Sequence, residues 1–444
     1  MDRTKRASGR RKIALALAGG GAHSAFTWGA LQFLLNDLRE RVEIVALSGT
    51  SGGAMNAAVT AYGLGLGEPN PEAAAKELLE EFWVRTSQTA DWFANPYRHV
   101  PNPFWWSWNT DGSPVPTLLS MGASALGPAQ LTPLHRNPLG LILGSVLDFR
   151  RFAEPAPFPD LYVCATNVRT NQLKVFERRE LSTDVLCASA CLPSVDWPVV
   201  IDGEAYWDGG FRADPAISPL LESPRLQPSD HDDPIDVVLI GINPLIRDDL
   251  PLLAWQIMDR ANEISLNSSV IDEVKRLMMM NDVLTDIERL DPKLRRQVKA
   301  LHALAGKRVV RLHYIESERE MAPLGVASKN NTALPFLEML RECGYRAAKR
   351  WWEAEGGAKD FANSDSKEWR ARIKQHFIEP HRWDAPTAPA HRKEAARASV
   401  QALAAVTATP PSMAVAEREP AGVSNTAVPP RRAQKTSRRA AGGA

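Results

Sequence analysis

Gly49-Thr50-Ser51-Gly52-Gly53 stands between the apolar run Val42-Glu43-Ile44-Val45-Ala46-Leu47 and the small-residue segment Ala54-Met55-Asn56-Ala57-Ala58-Val59. A strand that turns sharply into a helix here leaves the Ser51 hydroxyl exposed at the crest, because glycines on either side admit a strained backbone and leave room for a substrate. Ser51 is therefore a candidate nucleophile in a G-x-S-x-G turn. The pattern alone is only moderately specific, since glycines and serines cluster in many turns. The strand before it and the helix after it strengthen the reading.

Upstream, Ile13-Ala14-Leu15-Ala16-Leu17-Ala18 follows a basic start. It is shorter than a secretory h-region of ~7–15 residues and glycines follow at once, so it reads as a buried first strand. Then come Gly19-Gly20-Gly21-Ala22-His23-Ser24 and an amphipathic run with apolar residues at Phe26, Ala30, Phe33, Leu34 and Leu38. Glycines between a buried strand and a helix present free N–H groups at a positive helix terminus, suited to a phosphate or an oxyanion. A dinucleotide fingerprint fits less well, because Ser24 stands where its third glycine belongs and only Asp37 or Glu43 could serve as the acidic ribose ligand about 20 residues on. An oxyanion hole for an ester suits the serine turn that follows one helix and one strand later.

Downstream, Asn70-Pro71-Glu72 opens a helix that buries Leu78, Leu79, Phe82 and Trp83. Residues 91–150 form an aromatic, proline-broken insertion with Trp92, Phe93, Phe104, Trp105, Trp106 and Trp108. Such aromatics pack a small subdomain or make a lid that receives acyl chains or touches a lipid interface. Leu161 to Thr166 reads as a buried strand, with Gln172 to Phe176 as its antiparallel neighbour. After Ala188-Ser189-Ala190-Cys191-Leu192-Pro193 come a short strand, a D-G turn at Asp202-Gly203, Ala205-Tyr206-Trp207 and Asp208-Gly209-Gly210. Asp202 has the plain job of a hairpin turn. Asp208 differs, because two glycines let the backbone beside it pass close to a site. Further strands are expected at Ile235–Ile242 and Val309–Ile315, with helices from Leu252 to Ile287 and from Leu334 to Trp352. Met278-Met279-Met280 reads as core filler.

The 444 residues, 44% of them hydrophobic, suffice for one large core or two modest ones. A formal net charge of +1 gives no global case for nucleic acid. Basic residues crowd both ends, at Arg3, Lys5, Arg6, Arg10, Arg11 and Lys12 and again at Arg431, Arg432, Lys435, Arg438 and Arg439. They read as solvated tails, or as weak attraction to anionic lipid. No stretch reaches the ~20 apolar residues of a membrane span. Four cysteines without C-x-x-C spacing suggest a reducing compartment and no zinc site, with the cytoplasm as default.

A serine hydroxyl is a weak nucleophile until a base takes its proton. A Ser-His-Asp triad would need His231, His302 or His313, and none sits in a glycine-marked turn. Asp208 can act alone if partly desolvated, since desolvation makes a carboxylate more basic. Gly19-Gly20-Gly21, the Ser51 turn, the A-S-x-x-x-P segment from Ala188 to Pro193, Asp208-Gly209-Gly210 and a closing helix with Gly344-Tyr345 together resemble the patatin-like phospholipase family. The resemblance runs from Ile13 to Glu355, less the insertion. It implies a three-layer α/β/α fold with a central, mostly parallel sheet, and a Ser-Asp dyad that cleaves lipid acyl esters with neither metal nor cofactor. By it Ser51 is the nucleophile, Asp208 the base, and the Gly20, Gly21 and Ala22 amides the oxyanion donors. Gly19, Gly49, Gly53, Gly209 and Gly210 support those motifs. The family usually places Arg or Lys and then Gly after the glycine cluster, whereas this chain has His23 and Ser24. With a reference pKa of about 6.5 His23 is mostly neutral at pH 7, so a permanent positive charge near the oxyanion hole is missing, which weakens the case for anionic headgroups and leaves neutral lipids or other hydrophobic esters open, with His23 as a substrate-tuning residue.

The expected organisation is a basic segment at 1–11, a catalytic domain at 12–355 that contains the insertion, an extension at 356–383 and a disordered tail at 384–444. The expected protein is a cytoplasmic carboxylic ester hydrolase acting on phospholipid, lysophospholipid or neutral lipid, with peripheral contact to a membrane or lipid body. The alternatives are an acyltransferase or thioesterase using the same dyad, or a non-catalytic lipid-binding protein. The sequence leaves the oligomeric state unread.

Overall fold

A computed structural model describes residues 10–66, 69–91, 108, 138–155, 157–193, 196–226, 235–247, 250–252, 254–289, 309–356, 371, 373–375 and 377–378. Residues 1–9, most of the aromatic insertion, His231, His302 and the tail at 384–444 lie outside the described residues.

Eight strands form one mixed sheet: β1 (Arg11–Leu17), β2 (Val42–Thr50), β3 (Asp160–Asn167), β4 (Leu173–Glu177), β5 (Val199–Ile201), β6 (Glu204–Asp208), β7 (Ile235–Ile240) and β8 (Val310–Ile315). Their order is β5-β6-β3-β2-β1-β7-β8, with β4 paired to β3. Pairings β3–β2, β2–β1, β1–β7 and β7–β8 are parallel, and β4, β6 and β5 add antiparallel edges. The hairpin between β5 and β6 turns at Asp202 (φ 51°) and Gly203 (φ 81°), the left-handed pair that an Asp-Gly turn supplies.

The alternation of side chains along β1 builds the layers. Ile13, Leu15 and Leu17 face one hydrophobic cluster, and Ala14 and Ala16 face the other. The first cluster is closed by α1 (Ala25–Asn36), α2 (Gly52–Gly65), α3 (Pro71–Asp91), α4 (Pro138–Val146), α5 (Thr183–Ser189) and, later in the chain, the closing helix Leu334–Trp351. The second is closed by α6 (Ser218–Leu221) and by α7 (Ala254–Arg289), through Val270, Val274 and Leu277. Ile373 and Phe377 of the extension join that second cluster, Phe377 meeting the Tyr314 ring at 5.1 Å. Helices therefore cover both faces of a mainly parallel sheet, the three-layer arrangement expected.

A short α8 (Glu318–Met321) precedes the closing helix, α9 (Leu334–Trp351). α1 crosses α9 so closely that a Cβ on Gly29 would lie 1.8 Å from the Arg341 carbonyl oxygen, and one on Gly344 1.8 Å from that of Phe26. The end of the insertion belongs to the core layer, since α4 buries Leu143 completely, and Trp108 packs on Phe336 at 5.3 Å. The methionine triplet departs from expectation. Met278 is partly buried, but Met279 and Met280 are 69% and 41% exposed, because successive helical residues cannot share one face.

Candidate active site

β2 ends at Thr50, and the chain turns into α2 at Ser51 with φ 53° and ψ −128°. A positive φ on a non-glycine residue costs on the order of 1–3 kcal/mol and survives only where the surroundings fix it. Here they do. The Ser51 N–H donates to Ser189 Oγ at 3.0 Å, and the Ser51 carbonyl accepts the Ala54 and Met55 N–H groups at 2.9 and 3.2 Å, starting α2. Gly49 and Gly53 serve close packing: a Cβ on Gly49 would lie 2.5 Å from the Gly53 oxygen, and one on Gly53 2.2 Å from the Leu17 oxygen. The first turn of α2 thus presses on the ends of β1 and β2.

Asp208 reaches Ser51 through strand register. β2 pairs with β3 as far as Thr50 opposite Cys164, and β6 takes over the same edge of β3 with Asp208 opposite Ala165, while β4 occupies the other edge. Asp208 therefore sits one register step beyond Thr50. Its N–H donates to the Cys191 carbonyl at 2.8 Å and its carbonyl accepts from Thr166 Oγ1 at 2.9 Å. Its carboxylate accepts the Gly210 N–H at 2.7 Å and faces the Ser51 side chain, which helps to hold its pKa down. A Cβ on Gly209 would lie 2.3 Å from the Cys164 oxygen, so the turn after Asp208 must run flush against β3. Burial raises the Asp208 pKa to about 6, against the Gly210 hydrogen bond, the Ser51 hydroxyl and the Lys329 charge, which pull it down.

The glycine turn supplies the third part. After β1, Gly21 takes φ +57° and residues Gly21–Ser24 make one 3₁₀ turn into α1. The first N–H groups of such a turn have no partner within it. The Gly20, Gly21 and Ala22 amides have no acceptor among the described residues. A Cβ on Gly19 would lie 2.8 Å from Ser51 Cβ, so this turn abuts the serine directly.

His23 is buried and its Nε2 is 2.8 Å from Ser328 Oγ, with Phe336 meeting the ring edge-on. Burial first, then the charges of Lys329 and Arg247, lower its pKa to about 3, so it stays neutral. His313 is committed elsewhere: its Nε2 is 2.9 Å from Asp236, which Arg11 and Arg311 also hold at the far ends of the strands.

Four side chains around the serine were not singled out from the sequence. Asn56 donates to the Ser24 and Gly52 carbonyls at 2.9 and 3.2 Å and accepts from Trp83 Nε1 at 3.1 Å, stitching α2 to the glycine turn and α3. A lone amide in an alanine-rich buried helix was the available signal. Asp214, Asn243 and Lys329 form a second group. The Asp214 carboxylate accepts the Gly19 N–H and, at 3.3 Å, Asn243 Nδ2, while Lys329 Nζ donates to Asn243 Oδ1 at 2.7 Å. Burial raises the Asp214 pKa to about 8; the Gly19 hydrogen bond opposes this, the Asp208 charge adds to it, and Lys329 opposes it.

All four cysteines are free and buried. Among the described residues, no three His, Cys, Asp or Glu side chains are grouped as metal ligands, and no helix is long and apolar enough to cross a membrane.

Residues 15–221 match the family described as Patatin-like phospholipase. Among solved structures, VipD from Legionella pneumophila is 14% identical, with 78% of this chain and 67% of that chain covered at a TM-score of 0.33. The structure of full-length SpcU in complex with full-length ExoU, from the type III secretion system of Pseudomonas aeruginosa, gives 15%, 90%, 78% and 0.22 for the same quantities. No curated protein matches the chain. The family match covers the end of β1, the glycine turn, the serine turn and the Asp208 loop, and residues 15–221 thereby form a patatin-like phospholipase domain, of a family of lipid acyl hydrolases in general.

Proposed function

We propose that the protein is a serine acyl hydrolase that cleaves lipid carboxyl esters through an acyl-enzyme on Ser51, with Asp208 as base. The observation that carries this reading is the pairing of the half-buried Ser51 side chain with the buried Asp208 carboxylate, beside amides left without acceptors at Gly20, Gly21 and Ala22. A carboxylate with a pKa near 6 is ionised at pH 7 yet basic enough to take a proton in a transition state.

Ser51 Oγ attacks the ester carbonyl and its proton passes to Asp208. The glycine-turn amides take the charge of the tetrahedral oxyanion, a contribution for which one lost donor typically costs about 10²–10³ in turnover. The alcohol leaves with the proton from Asp208, and water activated by the same carboxylate releases the fatty acid. Leu192, Trp197 and Phe211 flank the Asp208 segment as exposed apolar side chains, which favours a hydrophobic substrate. His23 tunes the turn by staying uncharged, which favours neutral over anionic esters.

The test is fatty-acid release from phospholipid, lysophospholipid and neutral glyceride panels by the parent protein, S51A and D208N. Release abolished by both substitutions in folded protein is expected. Release that persists in S51A refutes the acyl-enzyme, and added alcohol or thiol acceptors would reveal acyl transfer.

A further inference from the structure

Asp214 takes no part in the proposed proton transfers, yet it is buried six positions after Asp208 and tied to the glycine turn. One carboxylate oxygen accepts the Gly19 N–H and the other accepts Asn243 Nδ2. Asn243 is oriented without ambiguity, because Lys329 can only donate, which turns Asn243 Oδ1 to the lysine and leaves Nδ2 to face Asp214. The backbone of Asp214 is held too, its N–H donating to Ser269 Oγ of α7 at 3.2 Å. Gly19 is the residue whose Cα faces Ser51 Cβ, and the next three residues carry the free amides. Lys329 closes the circuit, since its carbonyl oxygen lies 2.6 Å from where a Cβ of Gly21 would be.

We infer that Asp214 is a positioning residue: through Gly19 it fixes the amides of the glycine turn at the distance from Ser51 that an oxyanion requires, and the Asn243–Lys329 pair holds its carboxylate in place. The inference rests on the proposed acyl-hydrolase reading for its catalytic consequence. The clamp itself does not. The geometry needs a fixed acceptor because the turn has no other side-chain anchor at Gly19 among the described residues. A turn that drifts by about 1 Å forfeits on the order of 10²-fold in rate, since the donors must meet the oxyanion and not the ground-state carbonyl.

The test compares D214A with an exchange pair, D214N and N243D combined. D214A removes the acceptor for Gly19. The exchange restores every hydrogen bond. The amide introduced at position 214 accepts from Gly19 through its oxygen and donates through its nitrogen to the carboxylate introduced at position 243, which in turn accepts from Lys329. For D214A we expect kcat to fall about 10²-fold with KM within threefold, and the exchange pair to recover kcat to within about fivefold of the parent. Hydrogen exchange in the peptide spanning residues 18–24 should quicken in D214A and return to the parent rate in the exchange pair. If D214A does not fold, N243A takes its place, since it removes both the donor to Asp214 and the acceptor for Lys329 and should lose at least tenfold in kcat. A D214A enzyme with kcat within threefold of the parent, a loss confined to KM, or an exchange pair that recovers neither kcat nor protection overturns the inference. S51A separates the two failures: activity retained by S51A refutes the hydrolase reading, while the exchange rates still decide the clamp.

Discussion

Replacing Asp208 with asparagine should stabilise the protein while abolishing its turnover. The Asp208 carboxyl titrates at about 6 in the fold against an ordinary value of 3.8, and each unit of such a difference is about 1.4 kcal/mol. A carboxyl whose folded pKa is raised favours the fold when protonated, so its ionisation costs stability as the pH climbs from the unfolded to the folded value. Above pH 6 that cost is fully present and comes to about 3 kcal/mol. Asparagine has the same shape, keeps a carbonyl oxygen for the Gly210 N–H and never ionises. D208N should therefore be more stable than the parent by about 3 kcal/mol at pH 7, less whatever the weaker hydrogen bonds to a neutral acceptor forfeit, which is about 1 kcal/mol. By pH 4 the unfolded carboxyl is half protonated too, and the gain should shrink below about 1 kcal/mol. Urea unfolding of both proteins at pH 7 and pH 4, followed by circular dichroism, measures this directly. A D208N protein that is no more stable at pH 7, or whose gain is the same at both pH values, refutes the claim that Asp208 is held in a desolvated site against its preference.

Other outcomes follow from the same contacts. Because Asp208 must be ionised to accept a proton, kcat/KM should fall about tenfold per pH unit below about 6, and a pH–rate profile flat down to pH 5 would exclude it as the base. G19A puts a methyl group 2.8 Å from Ser51 Cβ and 3.0 Å from the Thr50 oxygen; it should lower kcat by about 10²-fold in protein that still folds, as judged by its melting curve. N56L strands Trp83 Nε1 and the Ser24 and Gly52 carbonyls in the core and should cost roughly 2–3 kcal/mol in urea unfolding, so a change under about 1 kcal/mol would argue against its role as a stitch.

The parts of this site that are continuous in sequence were legible there. Gly19-Gly20-Gly21 and Gly49-Thr50-Ser51-Gly52-Gly53 each sit at the end of one strand and the start of one helix, and a strand-turn-helix change of hydrophobic period marks such places. Asp208 was marked by its two glycines. Why it should face Ser51 was not, since that follows from β6 taking over the edge of β3 where β2 stops, a register between segments more than 100 residues apart. The clamp was invisible for the same reason. Gly19 and Asp214 are 195 residues apart, and Asn243 and Lys329 86, with no local pattern to announce either pair. Asp214 carries no glycine beside it, so nothing distinguished it from a turn aspartate.

The two buried polar clusters of the sheet hold their carboxyl groups in different ways. Ser51, the glycine turn, Asn243 and Lys329 all follow the carboxyl ends of parallel strands, β2, β1, β7 and β8, where open α/β sheets leave a crevice. At the opposite ends of β1, β7 and β8, Asp236 is buried as deeply as Asp208, but there Arg11 and Arg311 hold it, with His313 at 2.9 Å. These guanidinium hydrogen bonds commit the Asp236 carboxylate to structure, fixing three strands to one another. Asp208 is given a backbone amide, a serine hydroxyl and the charge of a more distant lysine instead, and burial wins over all three. The residue type is the same in both places. In the proposed dyad, what makes the second one chemically useful is that no ion pair among the described residues engages it and that it faces the Ser51 side chain.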